Sequence, residues 1–361
     1  VVGISTLGEN VSAIERKGIH HIAVPISRNF SPIADLFSLL QMILVLRREH
    51  FTLVHTHTPK PGLIGQLAAR LAGVPVVVNT VHGYYFHENT PPLQRVFYKT
   101  IEKIAARLSS IVFFVNQEDM EIAALENICP STKMEKLGPG GIGIDISRLN
   151  REVIAHDSIA SNREKLGLAD DTPVVGFVGR LVEEKGVLEL LEAAQIVHSN
   201  IPAVRFLIIG PVDEEKSDAI MPDAAVKYGV SEFCIFTGLR QDIPDLMALM
   251  NVFVLPSHRE GFPVVPMEAS AMGVPCVVTD IRGSREAVEH NRNGLLVPLG
   301  DVNALANAIE KLLTDKELAQ RLGKAGRQMA EERFDEQIVF TNVKSVYARL
   351  LMEKGISAPI H

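Results

Sequence analysis

Tryptophan is absent from this 361-residue sequence, tyrosine occurs five times and cysteine only three. Aromatic residues make up 6% and apolar residues 47%, so the core is filled by aliphatic side chains, as in proteins built on parallel sheets buried on both faces. Cys129, Cys234 and Cys276 are odd in number, far apart and outside any CxxC. That excludes a disulfide framework and predicts reduced, buried thiols in a cytoplasmic protein. No secretory leader and no apolar run of about 20 residues is present. The longest candidate, 36–46, contains Ser38 and Gln41, is followed by Arg47 and Arg48, and reads as a buried or amphipathic helix. A basic tract is missing as well. The net charge is -7, with 14 Lys+Arg against 12 Asp+Glu in residues 1–150 and 22 against 31 in residues 151–361. Such a chain is poorly suited to nucleic acid, whose phosphates must be neutralised by Lys and Arg. The composition also excludes disordered and collagen-like chains.

At roughly 100–200 residues per domain the length predicts two domains. Short β-branched runs alternate with helical patterns, the rhythm of a parallel α/β sheet. Strands are expected over 1–4, 22–25, 53–56, 76–80 and 111–115, with helices between them over 11–17, 33–49, 63–72, 93–108 and 118–127. The rhythm breaks between Leu137 and Asp171, where Gly138, Pro139, Gly140, Gly141 and Gly143 crowd together before the polar stretch 151–162. An interdomain linker is placed near Arg148 to Arg151. Strands then resume over 174–178, 205–209, 234–237, 252–255, 275–279 and 295–297. The helices between them cover 186–200, 218–228, 242–250, 264–272, 284–289, 302–314 and 317–332, and a last helix covers 335–351. The expected domains are 1–148 and 149–334, with 335–361 returning to the first. The sequence opens on Val1-Val2-Gly3-Ile4, without Met and already strand-like, so we expect a natural N-terminal element to be missing. In open parallel sheets ligands bind beyond the C-terminal strand ends, so polar residues directly after strands are the ones to examine.

Three clusters stand there. The first runs from Gly179 to Gly186, with Arg180 and Lys185 near a helix start, a diphosphate pocket unless its charges are merely solvated. The second runs from His258 to Glu268. Gly261 and Pro263 suit a loop turning into a helix, and Glu260 and Glu268 are far enough apart to hold two ends of one ligand, a carboxylate being a natural acceptor for sugar or ribose hydroxyls. Small and apolar neighbours predict that the Glu268 helix is buried. The third is His55, His57 and His82. A His-x-His pair can bind zinc, but no third ligand stands at a characteristic spacing, so no metal is expected. His55 reads as structural, whereas His57 and His82 lie at strand exits. Gly210 and the Gly238-Leu239-Arg240 run mark further exits. No dinucleotide fingerprint and no P-loop is present.

The motifs Gly176-Phe177-Val178-Gly179-Arg180-Leu181, Phe236-Thr237-Gly238-Leu239-Arg240, Glu260-x7-Glu268 and Asn293-Gly294-Leu295, in this order, resemble the donor half of a GT-B retaining glycosyltransferase of family 4. His55-Thr56-His57-Thr58-Pro59-Lys60 and Val81-His82-Gly83 resemble its bacterial polysaccharide-assembly members. The resemblance implies two Rossmann-like parallel-sheet domains facing across a cleft, the first lacking its N-terminal strand and helix. It implies that Arg180 and Lys185 hold the donor diphosphate, that Glu268 binds the ribose, and that Glu260 meets the transferred hexose. Gly179, Gly210, Leu239, Arg240, Gly261, Phe262, Val264 and Val265 complete the donor site. His82 approaches the donor sugar, and His57, Lys60 and His82 lie on the acceptor side. Pro263 stands where many members have Gly, which removes one amide.

The function implied is transfer of a hexose from a nucleotide-diphospho-sugar, UDP-sugar above all, to a polyprenyl-diphosphate-linked or saccharide acceptor, with no cofactor and no metal. The location implied is cytoplasmic, with a peripheral contact to the inner face of the membrane for which Arg95, Lys99, Lys103 and Arg107 are the candidates, unless that basic face is merely solvated. Two alternatives are a non-catalytic nucleotide-sugar-binding subunit of a partner enzyme, which the missing N-terminal element would suit, and a GT-B-fold UDP-sugar epimerase, against which the Glu260-x7-Glu268 block speaks.

Overall fold

The computed structural model describes residues 1–8, 11–27, 31–87 and 90–357. They form two compact units, one of Val1–Leu137 with Asn342–His361, the other of Gly138–Thr341. These divisions differ from 148/149 and 334/335 for a local reason. The Ile144 amide donates to the Phe334 carbonyl at 2.7 Å and the Glu336 amide to the Ile144 carbonyl at 3.0 Å. A Cβ on Gly140 would lie 2.4 Å from the Arg333 carbonyl oxygen. The glycine-rich segment is therefore stitched to the end of the second unit rather than hanging free as a linker.

The first unit holds β1 (Val2–Ser5), β2 (His20–Ala23), β3 (Leu53–His57), β4 (Val76–Val81), β5 (Ile111–Phe114) and β6 (Met134–Lys136). All pairings are parallel. β1 and β2 make one sheet, and β3 to β6 make another in chain order. Every residue of β4 and β5 is buried, which is why both runs are β-branched or aromatic almost throughout. β6, Met-Glu-Lys, carries no strand signal and exists through its pairing with β5. The helices Pro32–Glu49, Pro59–Ala72 and Pro92–Leu108 each begin on proline, whose fixed φ suits the first helical position. Asn342 of the last helix, Glu336–Glu353, donates through Nδ2 to the Lys136 and Leu137 carbonyls, and Arg349 pairs with Glu135 at 2.6 Å.

The second unit holds β7 (Val174–Val178), β8 (Arg205–Ile209), β9 (Cys234–Gly238), β10 (Val252–Leu255), β11 (Cys276–Thr279) and β12 (Gly294–Val297). They form one parallel sheet in the order β12-β11-β10-β7-β8-β9. The chain moves outward from β7 to β9, returns to β10 on the other side of β7, and moves outward again. The strand order reverses between β7 and β10, and in open α/β sheets that is where ligands bind. Several helices depart from the sequence expectation: 242–250 is helical only over Ile243–Met247, the helix expected over 63–72 begins at Pro59, and two further differences are larger. Only Ala224–Lys227 of the span 218–228 is helical, because Pro222 lacks an N–H and restricts the residue before it. The polar stretch 151–162 contains the start of a helix, His156–Lys165. All three cysteines are free and buried.

Candidate active site

The loops after β7 and β10 lie side by side at the switch point, and three ion pairs join the second loop to the first and to the helix that follows it. Lys185 Nζ meets Glu260 Oε1 at 2.6 Å, Arg259 Nε meets Glu184 Oε1 at 2.6 Å, and His258 Nε2 meets Glu189 Oε1 at 2.6 Å. The His258 amide also donates to the Glu184 carbonyl at 2.9 Å. The first pair is the most enclosed, with side chains 21% and 10% exposed. The contact with Glu189 holds the His258 pKa above its usual value. The β7 loop places Lys185 at the end of a single 3-10 turn, Glu183–Lys185, after which Gly186 at φ 70 opens the helix Val187–Asn200. A Cβ on Gly186 would lie 2.0 Å from the Pro256 carbonyl oxygen, so the two loops approach backbone to backbone.

Arg180 lies one residue after Gly179 and reaches Asp213, beyond the exit of β8, at 2.6 Å. Gly210 occupies that exit at φ 148, its amide donating to the Gly238 carbonyl at 3.0 Å. Arg240 is held bidentately by Asp242 at 2.7 and 2.5 Å, while the Leu239 side chain is exposed. The ring of Phe262 turns away from the loop and packs edge-on against Phe334 at 6.3 Å, so only its backbone is left to serve a ligand. Pro263 caps the helix Val264–Ala271. Because Pro263 and Pro266 have no N–H, Val264 and Val265 supply the free amides of its first turn. Glu268 sits one turn into this helix between buried Met267, Ala269, Ser270 and Ala271. Among the described residues no hydrogen bond or ion pair reaches its carboxylate, and desolvation pushes its pKa up to about 7.

In the first unit the structure brings His57 and His82 together, Nδ1 to Nε2 at 3.0 Å. His55 is structural, with Nε2 on Thr80 Oγ1 at 2.7 Å, Nδ1 on the Tyr347 hydroxyl and its ring stacked on His57 at 4.3 Å. Burial holds His55 down at about 3 and His82 at about 4, so both rings are neutral at pH 7. Lys60 is engaged elsewhere, with Asp35 at 2.6 Å and the Ser27 carbonyl at 2.8 Å. A cavity of about 460 Å³ is lined by Ile4, Thr6, Met42, Leu53, His55 and His57. No group of three or more His, Cys, Asp or Glu that could hold a metal ion occurs among the described residues. Asp213, the partner of Arg180, escaped the sequence reading, as did the pairing of Glu184 with Arg259 and of Glu189 with His258. These carboxylates lie 33, 75 and 69 positions from their partners, and the only local hint was the acidic pair inside the β7 loop itself.

The switch point thus carries two ion-paired cations, Arg180 and Lys185, and the unpartnered carboxylate of Glu268, groups of the kind that can meet phosphates and hydroxyls. Comparison with known proteins narrows that chemistry. The family model described as glycosyl transferases group 1 matches residues 158–329, and the glycosyl transferase 4-like model matches residues 2–116. The chain is 32% identical over 330 residues to a UDP-Gal:α-D-GlcNAc-diphosphoundecaprenol α-1,3-galactosyltransferase of Escherichia coli, covering 91% of this chain and 83% of the relative. It is 30% identical over 359 residues to the capsular polysaccharide biosynthesis glycosyltransferase CapM of Staphylococcus aureus, covering 97% and 90%. A crystal structure of Anabaena Alr3699/HepE in complex with UDP and glucose superposes with a TM-score of 0.79 at 22% identity, covering 96% of this chain and 91% of that one. The chain belongs to the GT-B glycosyltransferases of the group 1, family 4 type.

Proposed function

We propose that this glycosyltransferase is a retaining hexosyltransferase. It takes its sugar from a UDP-hexose and passes it to a polyprenyl-diphosphate-linked saccharide in cell-surface polysaccharide assembly, without a bound metal. The observation that carries the reading is the enclosed Lys185–Glu260 pair at the switch point, with Glu268 unpartnered on the helix that follows. The names of the E. coli and S. aureus relatives supply the donor, acceptor and pathway class. Lys185, Arg180 and the amides of Val264 and Val265 are the groups for the diphosphate. In the reaction the bond from the anomeric carbon to the phosphate oxygen breaks, and UDP leaves with the electron pair. The acceptor oxygen bonds to the same face of the sugar, and its proton passes to the departing phosphate. Cations fixed beside the leaving group stabilise the charge that develops on it, and no carboxylate nucleophile is required. Glu260 binds the hexose, Glu268 the ribose, and His57 and His82 serve the acceptor side, while Lys60, expected there from the sequence, is held by Asp35 and the Ser27 carbonyl. The test is incubation with labelled UDP-hexoses, a polyprenyl-diphosphate-linked acceptor and a chelator, with the product anomer read by NMR. An inverted product, or activity lost to the chelator and restored by Mg, would overturn the mechanism.

Glu268 gives a pH signature. Its raised pKa leaves it largely protonated at pH 6 and ionised at pH 8. Ribose hydroxyls donate better to the carboxylate than to the acid, so UDP affinity is expected to rise across that window. Glu268→Gln should weaken binding and flatten the slope. Calorimetry at pH 6, 7 and 8 checks both, and a slope that survives in Glu268→Gln assigns it to another group.

The membrane contact is proposed on a different helix from the candidate that the sequence offered. Arg95 and Lys99 both pair with Glu126, each at 2.5 Å, which neutralises much of that basic face. The helix Pro32–Glu49 instead exposes Ile33, Phe37, Leu40 and Leu44, spaced along one face and followed by Arg47 and Arg48. No helix among the described residues is long and apolar enough to cross a membrane. Co-sedimentation with anionic vesicles should fall several-fold in Phe37→Glu/Leu44→Glu and change little in Lys103→Glu.

A further inference from the structure

We infer that Tyr347, on the last helix, is a positioning residue for the acceptor-side histidines, acting through His55. Four neighbours clamp the His55 ring. The Tyr347 hydroxyl meets Nδ1, and its ring stands edge-on at 5.7 Å and 83°. Thr80 Oγ1 meets Nε2 at 2.7 Å. Phe113 packs at 5.9 Å, and His57 stacks on the remaining face at 4.3 Å and 29°. His57 in turn shares a hydrogen bond with His82, whose ring lies 5.2 Å away. An unbroken line of contacts thus runs from the last helix through β3 to the exit of β4.

Burial keeps the Tyr347 phenol protonated, raising its pKa to about 12, so its O–H is available to donate as well as to accept. A neutral imidazole has one N–H and one bare nitrogen. In the proposed lock Tyr347 donates to Nδ1, so the single proton of His55 sits on Nε2 and is donated to Thr80 Oγ1. His55 is held as one tautomer with its ring plane fixed, and the ring beneath His57 fixes the direction from which His57 meets His82. Tyr347 and His55 touch no substrate in this scheme. They decide which way the His57–His82 pair faces.

The part of this inference that concerns catalysis rests on the transferase reading above, whereas the lock itself does not, and the experiment separates them. In the ligand-free protein, nitrogen-15 spectra of the imidazoles should show His55 as a single Nε2–H tautomer. In Tyr347→Phe, which removes one oxygen and keeps the ring, His55 should become a tautomer mixture. Thr80→Val should do the same from the other nitrogen, and Thr80→Ser, which keeps the hydroxyl, should restore the single form. In turnover, Tyr347→Phe should lower kcat about tenfold with the KM for the sugar nucleotide unchanged. A His55 that stays a single tautomer in Tyr347→Phe overturns the lock. A tautomer mixture with unchanged kcat overturns the link to catalysis. A wild type without turnover would sink the transferase reading, and the spectra would still decide on the lock.

Discussion

Lys185→Ala is expected to lower kcat/KM by about a thousandfold, the largest loss of activity among single side-chain truncations in this protein. Two effects add. The departing diphosphate loses an ammonium group held in place before the reaction begins, and one such group fixed in an enclosed site accounts for roughly a hundred- to a thousandfold in rate. Glu260, with its side chain 10% exposed, is also left as an enclosed carboxylate without its counter-charge. The substitution therefore damages the hexose side of the site together with the phosphate side. That coupling has its own signature. Lys185→Met and Glu260→Gln should each be severe, and the double variant should be much less than the product of the two, because residues in one ion pair are not additive. Steady-state kinetics on the four proteins measures this. Unchanged kcat/KM in Lys185→Ala, or simple multiplication of the two effects, would show that the pair does not work as a unit. Arg180→Ala should cost less, since its partner Asp213 lies at the β8 exit and Arg180 is 44% exposed at the side chain.

The second large effect is on stability. Gly210→Ala should lower the melting temperature of the second unit by about 10 °C, corresponding to a loss of roughly 3–5 kcal/mol. Gly210 has φ 148, and a Cβ there would lie 1.8 Å from the Gly179 carbonyl oxygen and 2.7 Å from its carbonyl carbon. The clash is with backbone, so no rotamer relieves it. The exits of β7 and β8 would have to separate, straining the bonds from the Gly179 amide to the Ile209 carbonyl and from the Gly210 amide to the Gly238 carbonyl. Arg180 hangs from the same backbone, so donor affinity should fall with stability. Scanning calorimetry and UDP titration of Gly210→Ala check both, and a melting point within about 2 °C of wild type would show that the strand exits yield more easily than the geometry allows. Gly238→Ala is the control. It too has a positive φ, 67, but open space around the missing Cβ, so it should cost only the conformational strain.

Much of this architecture was readable from residue order. Runs such as Val174–Val178, Arg205–Ile209 and Val252–Leu255 fall where the sequence placed them, because a strand buried on both faces needs an unbroken apolar run. The loops that follow were readable for the same reason, as the polar residues next to those runs. β6 was not, since Met134-Glu135-Lys136 becomes a strand only by pairing with β5. Nor was the use of Pro222 to cut a helix short, because the apolar pattern around it runs on. The basic face of Pro92–Leu108 looked available until Glu126, 31 residues from Arg95, was seen to occupy two of its charges.

The sequence by itself determined where the apolar strands run, which glycines end them, and which cations and carboxylates follow, because those features depend on neighbours a few residues apart. Pairing across the chain was left to tertiary structure: Lys185 with Glu260, Arg180 with Asp213, His55 with Tyr347 at a distance of 292 residues. An ion pair or a shared proton depends on separations of about 3 Å in space, and only the packed sheet, by choosing which strand exits become neighbours, brings such groups within that range.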